Sequence, residues 1–313
     1  MQTRVAQKKR YWQAIFRLLL CIGWLCGCEN AVHSEFNPFP VTPTQKVEKQ
    51  TSNSDTSYRI PANKQAITIC SWNLKDFGRS KSDEEIAFMA NTIANADVLA
   101  IQEVVTAPGG AQAVARLADE LNRKGTKWQY VISDPTTGTP SSHERYAFLW
   151  KPSSLTLKGK PELANRFAEE IDREPYMATF SFNTQSFTLV SFHAVPKSKN
   201  PETEIKLLQQ FITEYPDRQL LFTGDFNCPQ SNSVFNSLKN VGYVPIFTQQ
   251  KTSLRHKCIN EDCLASEFDN LFYQPNQLQL LKSGVVHFYK QFDDIKAASY
   301  ISDHLPIYVQ FKK

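Results

Sequence analysis

Apolar runs that stop at polar side chains recur along the 313-residue chain, and Leu220-Leu221-Phe222-Thr223-Gly224-Asp225-Phe226-Asn227 is the clearest of them. The run predicts a buried strand, ended by a glycine and followed by a carboxylate and a carboxamide. Asp225 and Asn227 are two apart, so in extended geometry they leave one face while Phe226 points back to the core. Taken alone, the tetrapeptide reads equally well as a turn capping an ordinary strand.

The same pattern organises the rest. Ala66 to Asn73 is β-branched and apolar and predicts a strand that delivers Asn73 at its end. Ser82 with Glu85 forms a capping box, and Ile86, Met89 and Ile93 make one helical stripe. Asp97 to Glu103 is a second buried strand ending in an acid, so strand, helix and strand follow one another as in an α/β unit. Val114, Leu117 and Leu121 mark another helix, Trp128 to Ile132 another strand. Glu144 to Trp150 alternates, with Arg145 and Ala147 opposite Tyr146 and Phe148, and Pro152 ends it. Tyr176–Phe182 and Ser186–Phe192 read as a hairpin about Asn183-Thr184, with His193 at its exit. Ile205, Leu208 and Ile212 predict a helix; Phe268–Phe272 and Leu305–Phe311 predict strands, the last preceded by Ser302-Asp303-His304.

Charge and cysteine narrow the picture. The net charge of +4 comes from the N-terminus, where Arg4, Lys8, Lys9, Arg10 and Arg17 precede any acid; without them 30 basic residues face 31 acidic ones. That balance argues against a generally basic nucleic-acid surface but leaves a local patch open. Residues 1–28 read as an export signal, basic and then apolar from Leu18 to Gly27, too short to span a membrane comfortably. Residues 29–63 are polar and aperiodic, a tether. Residues 64–313 then form one domain. Cys70 lies in an apolar strand and is expected as a buried thiol, whereas Cys228, Cys258 and Cys263 fall in loops where an exported protein can form disulfides.

Asn73, Glu103, Glu144, His193, Asp225, Asn227 and the Asp303-His304 pair thus fall at strand ends, with Asp269 nearby. Carboxylates gathered there would repel one another without a cation, which implies a divalent metal on oxygen ligands. With two histidines beside them, water activation on a phosphate ester is the chemistry this inventory suits.

Ser71-Trp72-Asn73, Ala100-Ile101-Gln102-Glu103-Val104, Glu144-Arg145-Tyr146, Arg173-Glu174-Pro175, Ser191-Phe192-His193, Gly224-Asp225-Phe226-Asn227 and Ser302-Asp303-His304 resemble, in order, the motifs of the endonuclease/exonuclease/phosphatase superfamily. The Glu-Arg-Tyr and Arg-Glu-Pro elements look most like its deoxyribonuclease I branch. The resemblance implies a four-layer α/β sandwich, two packed mixed β-sheets flanked by helices. It implies a Mg²⁺- or Mn²⁺-dependent phosphodiesterase acting on DNA. Glu103 and Asn73 would organise the metal, with Asp303 and Asp225 close by, and Asp225 and Asn227 would also contact the scissile phosphate. His193 oriented by Glu144, and His304 oriented by Asp269, would be two acid/base pairs. Arg173 would hold a phosphate oxygen, the alternative being a surface ion pair with Glu169, Glu170 or Glu174. The N-terminal Leu25-Cys26-Gly27-Cys28 resembles the lipobox of bacterial lipoproteins, with Cys26 in place of the usual small residue, implying lipidation at Cys28 and membrane anchoring in the cell envelope; the alternative is a plain signal peptide or an uncleaved anchor, and a monomer with no protein partner is expected.

The departures are equally specific. Val105 and Ser142 stand where deoxyribonuclease I has an arginine and a tyrosine used in the DNA minor groove. The loop from Thr252 to Glu267 lacks the Asp and Thr cluster for structural Ca²⁺, which is therefore not expected. By resemblance, Cys228 would bridge to Cys263 or Cys258, the alternative being a local Cys258–Cys263 bond. Phosphatase or phospholipase-type chemistry on a phospholipid or other small phosphoester is a second functional reading. A catalytically idle, membrane-tethered binding module is a third.

Overall fold

The computed structural model describes residues 58–138 and 143–313; the signal, the lipobox Cys28, most of the tether and Ser142 lie outside the described residues. The strands are β1 (Ala66–Phe77), β2 (Val98–Val104), β3 (Gln129–Ile132), β4 (Arg145–Trp150), β5 (Thr156–Leu163), β6 (Tyr176–Phe182), β7 (Gln185–His193), β8 (Leu220–Asp225), β9 (Val244–Pro245), β10 (Leu254–Ile259), β11 (Asp262–Leu264), β12 (Asp269–Tyr273), β13 (Leu280–Val285) and β14 (Ile307–Lys312). The helices are α1 (Asp83–Ile93), α2 (Pro108–Arg123), α3 (Glu202–Ile205), α4 (Leu208–Glu214), α5 (Asn236–Asn240) and α6 (Ile295–Ile301).

Two six-stranded mixed sheets result, ordered β13-β14-β1-β2-β4-β3 and β5-β6-β7-β8-β12-β9. In the first, β1 runs parallel to β2 and antiparallel to β14; in the second, β7 runs parallel to β8 and β8 antiparallel to β12. Three apolar clusters separate four layers. Ile67, Ile69, Val98, Ala100, Tyr146 and Phe148 from the first sheet meet Phe180, Leu189, Leu221 and Leu271 from the second. On the outer face of the first sheet, Trp72, Leu99 and Ile101 pack under α1 and α2 through Ile86, Met89, Val114 and Leu117. On the outer face of the second, Phe192, Leu220 and Phe222 pack under Leu208 and Phe211 of α4. The expected sandwich is present.

The alternation of the strands fixes what their ends carry. Ile67 and Ile69 face the second sheet, so Ser71 and Asn73 continue on that face; Val98 and Ala100 predict the same for Gln102. Tyr146 and Phe148 do so for Glu144, Phe187 and Leu189 for His193, Leu221 for Asp225, and Leu271 for Asp269. Polar groups from five strands and the segment leading into β4 are thereby aimed at the seam where the two sheets' ends meet.

Several expectations are corrected. The disulfide joins Cys258 to Cys263 across the β10–β11 hairpin, Cα to Cα 4.2 Å, while Cys228 is free and buried. The inter-loop bridge fails because Cys228 sits in the outer core of the second sheet, whereas a two-residue turn with Asn260 and Glu261 at positive φ sets 258 opposite 263. Cys70 is a buried thiol as expected. The helix expected around Ile205–Ile212 is two short ones, because Leu207 bonds three residues back, to Glu204, and tightens the turn. Among the described residues ahead of β1, Ile60 is buried and its amide bonds the Thr92 carbonyl.

Gly224 is the one residue of β8 whose absent side chain the fold requires. Its φ is +135°, and a Cβ there would lie 2.0 Å from the Phe192 carbonyl oxygen on the parallel neighbour β7. Gly224→Ala is expected to destabilise the domain by about 2–5 kcal/mol and lower Tm by on the order of 10 °C. Thermal unfolding followed by circular dichroism checks this, and a wild-type Tm would show that β7 and β8 can part without cost.

Candidate active site

The strand ends converge on Asp225. Its Oδ2 lies 3.5 Å from Nε2 of His193 and 3.5 Å from Nε2 of His304, and accepts from Asn73 Nδ2 at 3.2 Å. Behind each imidazole stands a second carboxylate. Glu144 Oε2 is 2.9 Å from His193 Nδ1, and Asp269 Oδ2 is 2.7 Å from His304 Nδ1. The result is a row of alternating acid and imidazole, Glu144–His193–Asp225–His304–Asp269, drawn from both sheets. Phe268 lies beside His304 with the rings nearly parallel.

Asn73 donates also to Glu103 Oε1 at 2.8 Å, and Glu103 Oε1 is 4.0 Å from His193 Nε2. A break in β1's regular pairing beyond Asn73 makes this possible: Lys75 and Asp76 have φ of 38° and 51°, and the Asp76 amide bonds Glu103 Oε2 at 3.0 Å. Glu103 itself has φ 62°, which turns it out of the alternation its neighbours keep. Asn227 also departs from the expected extended geometry. At φ 49° it folds back, its amide donating to Asp225 Oδ1 at 2.9 Å and its side chain to the Ala194 carbonyl at 3.0 Å. Phe226 is in the core, as expected.

Arg173 is 7% exposed and is not a surface ion pair. Its guanidinium donates to the carbonyls of His193 (3.0 Å) and Ala194 and lies 3.5 Å from Glu144. Asp303 stands apart from the row, its Oδ2 held by Lys75 Nζ at 2.6 Å. Among the described residues no group of three or more acidic, histidine or cysteine side chains is arranged so as to hold a metal ion. The Glu103–Asn73 pair, one half-exposed carboxylate against one carboxamide, fits a hard cation of the Mg²⁺ kind, which takes one or two protein oxygens and completes its shell with water and phosphate.

Several supporting residues were invisible in the sequence. Gln102 spans the two sheets, donating to Ser71 Oγ (3.2 Å) and Ser191 Oγ (2.8 Å). Glu204 accepts from the amides of Asp172 and Val195, both at 2.8 Å, pinning the segments beside Arg173 and His193. Thr252 donates to Asp269 Oδ2 at 2.7 Å, and Ser302 donates to the Asn73 carbonyl at 2.6 Å while accepting from the His304 amide. Buried Lys81 caps the end of α6 through the carbonyls of Tyr300 and Ile301, just ahead of Ser302. Each joins positions far apart in the chain; only the Gln-Glu and Ser-Asp-His spacings hinted at Gln102 and Ser302.

A model of the endonuclease/exonuclease/phosphatase family matches residues 70–304, which holds the whole row. The chain belongs to that family. It is 28% identical over 267 residues to a deoxyribonuclease of Thioalkalivibrio sp. (strain K90mix), covering 79% of this chain and 71% of that one. It is 27% identical over 280 residues to deoxyribonuclease gamma of Mus musculus, covering 79% and 84%. The family's fold is shared by a Leptotrichia buccalis C-1013-b member at TM-score 0.58 and 17% identity, covering 79% of this chain and all of that one. D. rerio TDP2, complexed with a single-strand DNA product, gives TM-score 0.57 at 16% identity, covering 79% and 99%.

Burial and neighbours set the charge states. Burial opposes a charged imidazole, yet at His193 the Glu144 carboxylate, helped by Asp225 and opposed by Arg173, leaves the pKa above its ordinary value. At His304 the same contest, with Asp269 and Asp225 on the raising side, lifts it well above. Asp225 is pushed up by burial and down by His304 and His193, with a net lowering; burial raises Asp269. A histidine whose folded pKa is raised stabilises the fold fully below its unfolded value near 6.5, and this is lost as pH climbs through the folded value. In EDTA, the urea-unfolding free energy should therefore decline as pH rises above about 6.5, and His304→Asn should flatten the decline. An unchanged slope in the variant would mean that His304 is not the titrating group.

Proposed function

We propose that this member of the family is a divalent-metal-dependent DNA endonuclease. The observation that carries the reading is the facing pair of buried imidazoles, each backed by its own carboxylate and both directed at Asp225 Oδ2. Such a pair can remove one proton and deliver another on opposite sides of a phosphodiester, as hydrolysis demands. The deoxyribonuclease names of the relatives support a phosphodiester substrate, and DNA in particular.

Glu103 and Asn73 would hold a Mg²⁺ or Mn²⁺ ion, which would supply charge stabilisation to the phosphate. Neutral His193 takes a proton at Nε2 from the attacking water while Glu144 holds the Nδ1 proton and stabilises the imidazolium that forms. His304, kept protonated by Asp269, gives its Nε2 proton to the leaving oxygen. Arg173 and Asn227, which both donate to the Ala194 carbonyl, brace the segment that carries His193. At the rim, Val105 packs against Gly78 in the place of an arginine, so DNA contacts must come from other residues. For the N-terminus we propose lipidation at Cys28 and anchoring in the cell envelope, motivated by the basic, apolar and small-residue order of residues 1–28. Metabolic labelling with palmitate should mark the wild type and not Cys28→Ala.

Purified domain should relax supercoiled plasmid with Mg²⁺ or Mn²⁺ and not with EDTA; inactivity under every divalent cation would favour the idle binding module. Activity confined to phosphoinositides or sphingomyelin would move the substrate to lipid. His193→Ala should slow turnover by about 10²–10⁴-fold. Glu144→Gln acts through the same imidazole, so the double variant should lose little beyond the worse single one. Glu103→Gln should respond to excess Mg²⁺ and His193→Ala should not. Equal rescue of both by metal, or additive losses at 144 and 193, would show the roles to be misassigned.

A further inference from the structure

The hairpin β10–β11 carries chemistry that the acid/base row does not use. Its turn at Asn260-Glu261 is left-handed at both residues, and the Cys258–Cys263 disulfide closes it. Its base is fastened to the catalytic segment: Ser253 bridges His304, the Leu254 amide bonds the Asp303 carbonyl at 2.7 Å, and the Leu305 amide bonds Thr252 at 2.7 Å. Between hairpin and row lies a groove of about 390 Å³, a volume in the range of small-ligand sites, whose walls include Arg255, His256, Ser266, Phe268, Asp303 and His304.

The groove is prepared for an anion. Arg255 is steadied by Asp262, Nη2 to Oδ2 3.2 Å, and Asp262 is shared with Lys251 at 2.9 Å. Arg255 Nε is buried with no hydrogen-bond partner among the described residues, while the side chain as a whole keeps 31% of its surface open on the groove wall. The acid on the opposite wall, Asp303, is already neutralised by Lys75 at 2.6 Å. Exposed His256 and Lys257 follow Arg255 along the strand, and Phe268 offers an apolar ring beside His304.

We propose that this groove is a second phosphate subsite, which takes the sugar–phosphate unit adjoining the scissile bond on the His304 side. Arg255 holds the flanking phosphate, and the ring of Phe268 packs against the sugar. The disulfide keeps the arginine over the groove. Resting on the nuclease reading, the subsite makes a polynucleotide, and not an isolated phosphoester, the substrate that binds well.

Arg255→Gln tests this on a DNA oligonucleotide and on bis(p-nitrophenyl) phosphate, which has no flanking phosphate. On the oligonucleotide KM should rise about tenfold with kcat within about twofold, since one charge-assisted hydrogen bond is lost. The small diester should show less than about a twofold change in kcat/KM. The plot of log affinity against log salt should become shallower by about 0.7–0.9, the share of one phosphate contact. Cys258→Ser with Cys263→Ser, which frees the hairpin without altering its charge, should move the oligonucleotide KM in the same direction with Tm reported alongside. Equal losses on both substrates, or an unchanged oligonucleotide KM for Arg255→Gln, would overturn the subsite. If the wild type cleaves the small diester but no DNA, the nuclease reading falls and the subsite with it; if it cleaves both and Arg255→Gln matches it, only the subsite falls.

Discussion

One oxygen, Asp225 Oδ2, holds the site together. It is buried, faces two imidazoles at 3.5 Å each and accepts from Asn73, so its negative charge is the common partner of groups from both sheets. Burial pushes the Asp225 carboxyl up and the two imidazoles facing it bring it below its ordinary value, while Glu144 and Asp269, standing behind those imidazoles, raise them in turn. The five groups therefore form one electrostatic unit. Removing any member leaves a buried charge without its counterpart, which costs far more than a surface ion pair is worth.

The fold supplies that unit by simple alternation and then departs from it at a few backbone positions. Residues sharing the inner-face register with Leu189, Leu221 and Leu271 arrive at the seam as His193, Asp225 and Asp269. Glu103, which is out of that register, and Asn227, which shares it but lies past the strand's end, reach the site through positive φ. Gly224 lets β8 lie against β7 closely enough for His193 and Asp225 to be paired neighbours. Strain at a strand end is affordable where two sheets clamp the strand on both sides.

The alternation made most of the site legible in the sequence, because a period of two decides which face a strand-end residue takes. The two-sheet core and the α1 and α2 stripes were readable for the same reason. What was not readable depends on pairings distant in the chain. Gln102 and Ser191 are 89 residues apart, and nothing local marks them as partners across the sheets. Thr252 and Glu204 satisfy backbone amides and a carboxylate that only the folded chain brings near them. β5, β10 and β13 carry many exposed polar residues, so their alternation is weak; the hairpin that decides the disulfide was hidden with them.

Floor and rim of the site are built by different means, and this separates chemistry from choice of substrate. The floor consists of strand ends from both sheets, so no member can shift without disturbing a core. The rim consists of local turns. Val105 is fitted over Gly78, Arg145 is spent on the carbonyls of Ser133 and Thr106, and the β10–β11 hairpin is closed on itself by its own disulfide. A hairpin held by its own covalent bond and by three backbone contacts to residues 303–305 can change the residues at its tip without moving His304. Under the proposed function, the same row of acids and imidazoles serves different phosphoesters, with the rim deciding which of them stays long enough to react.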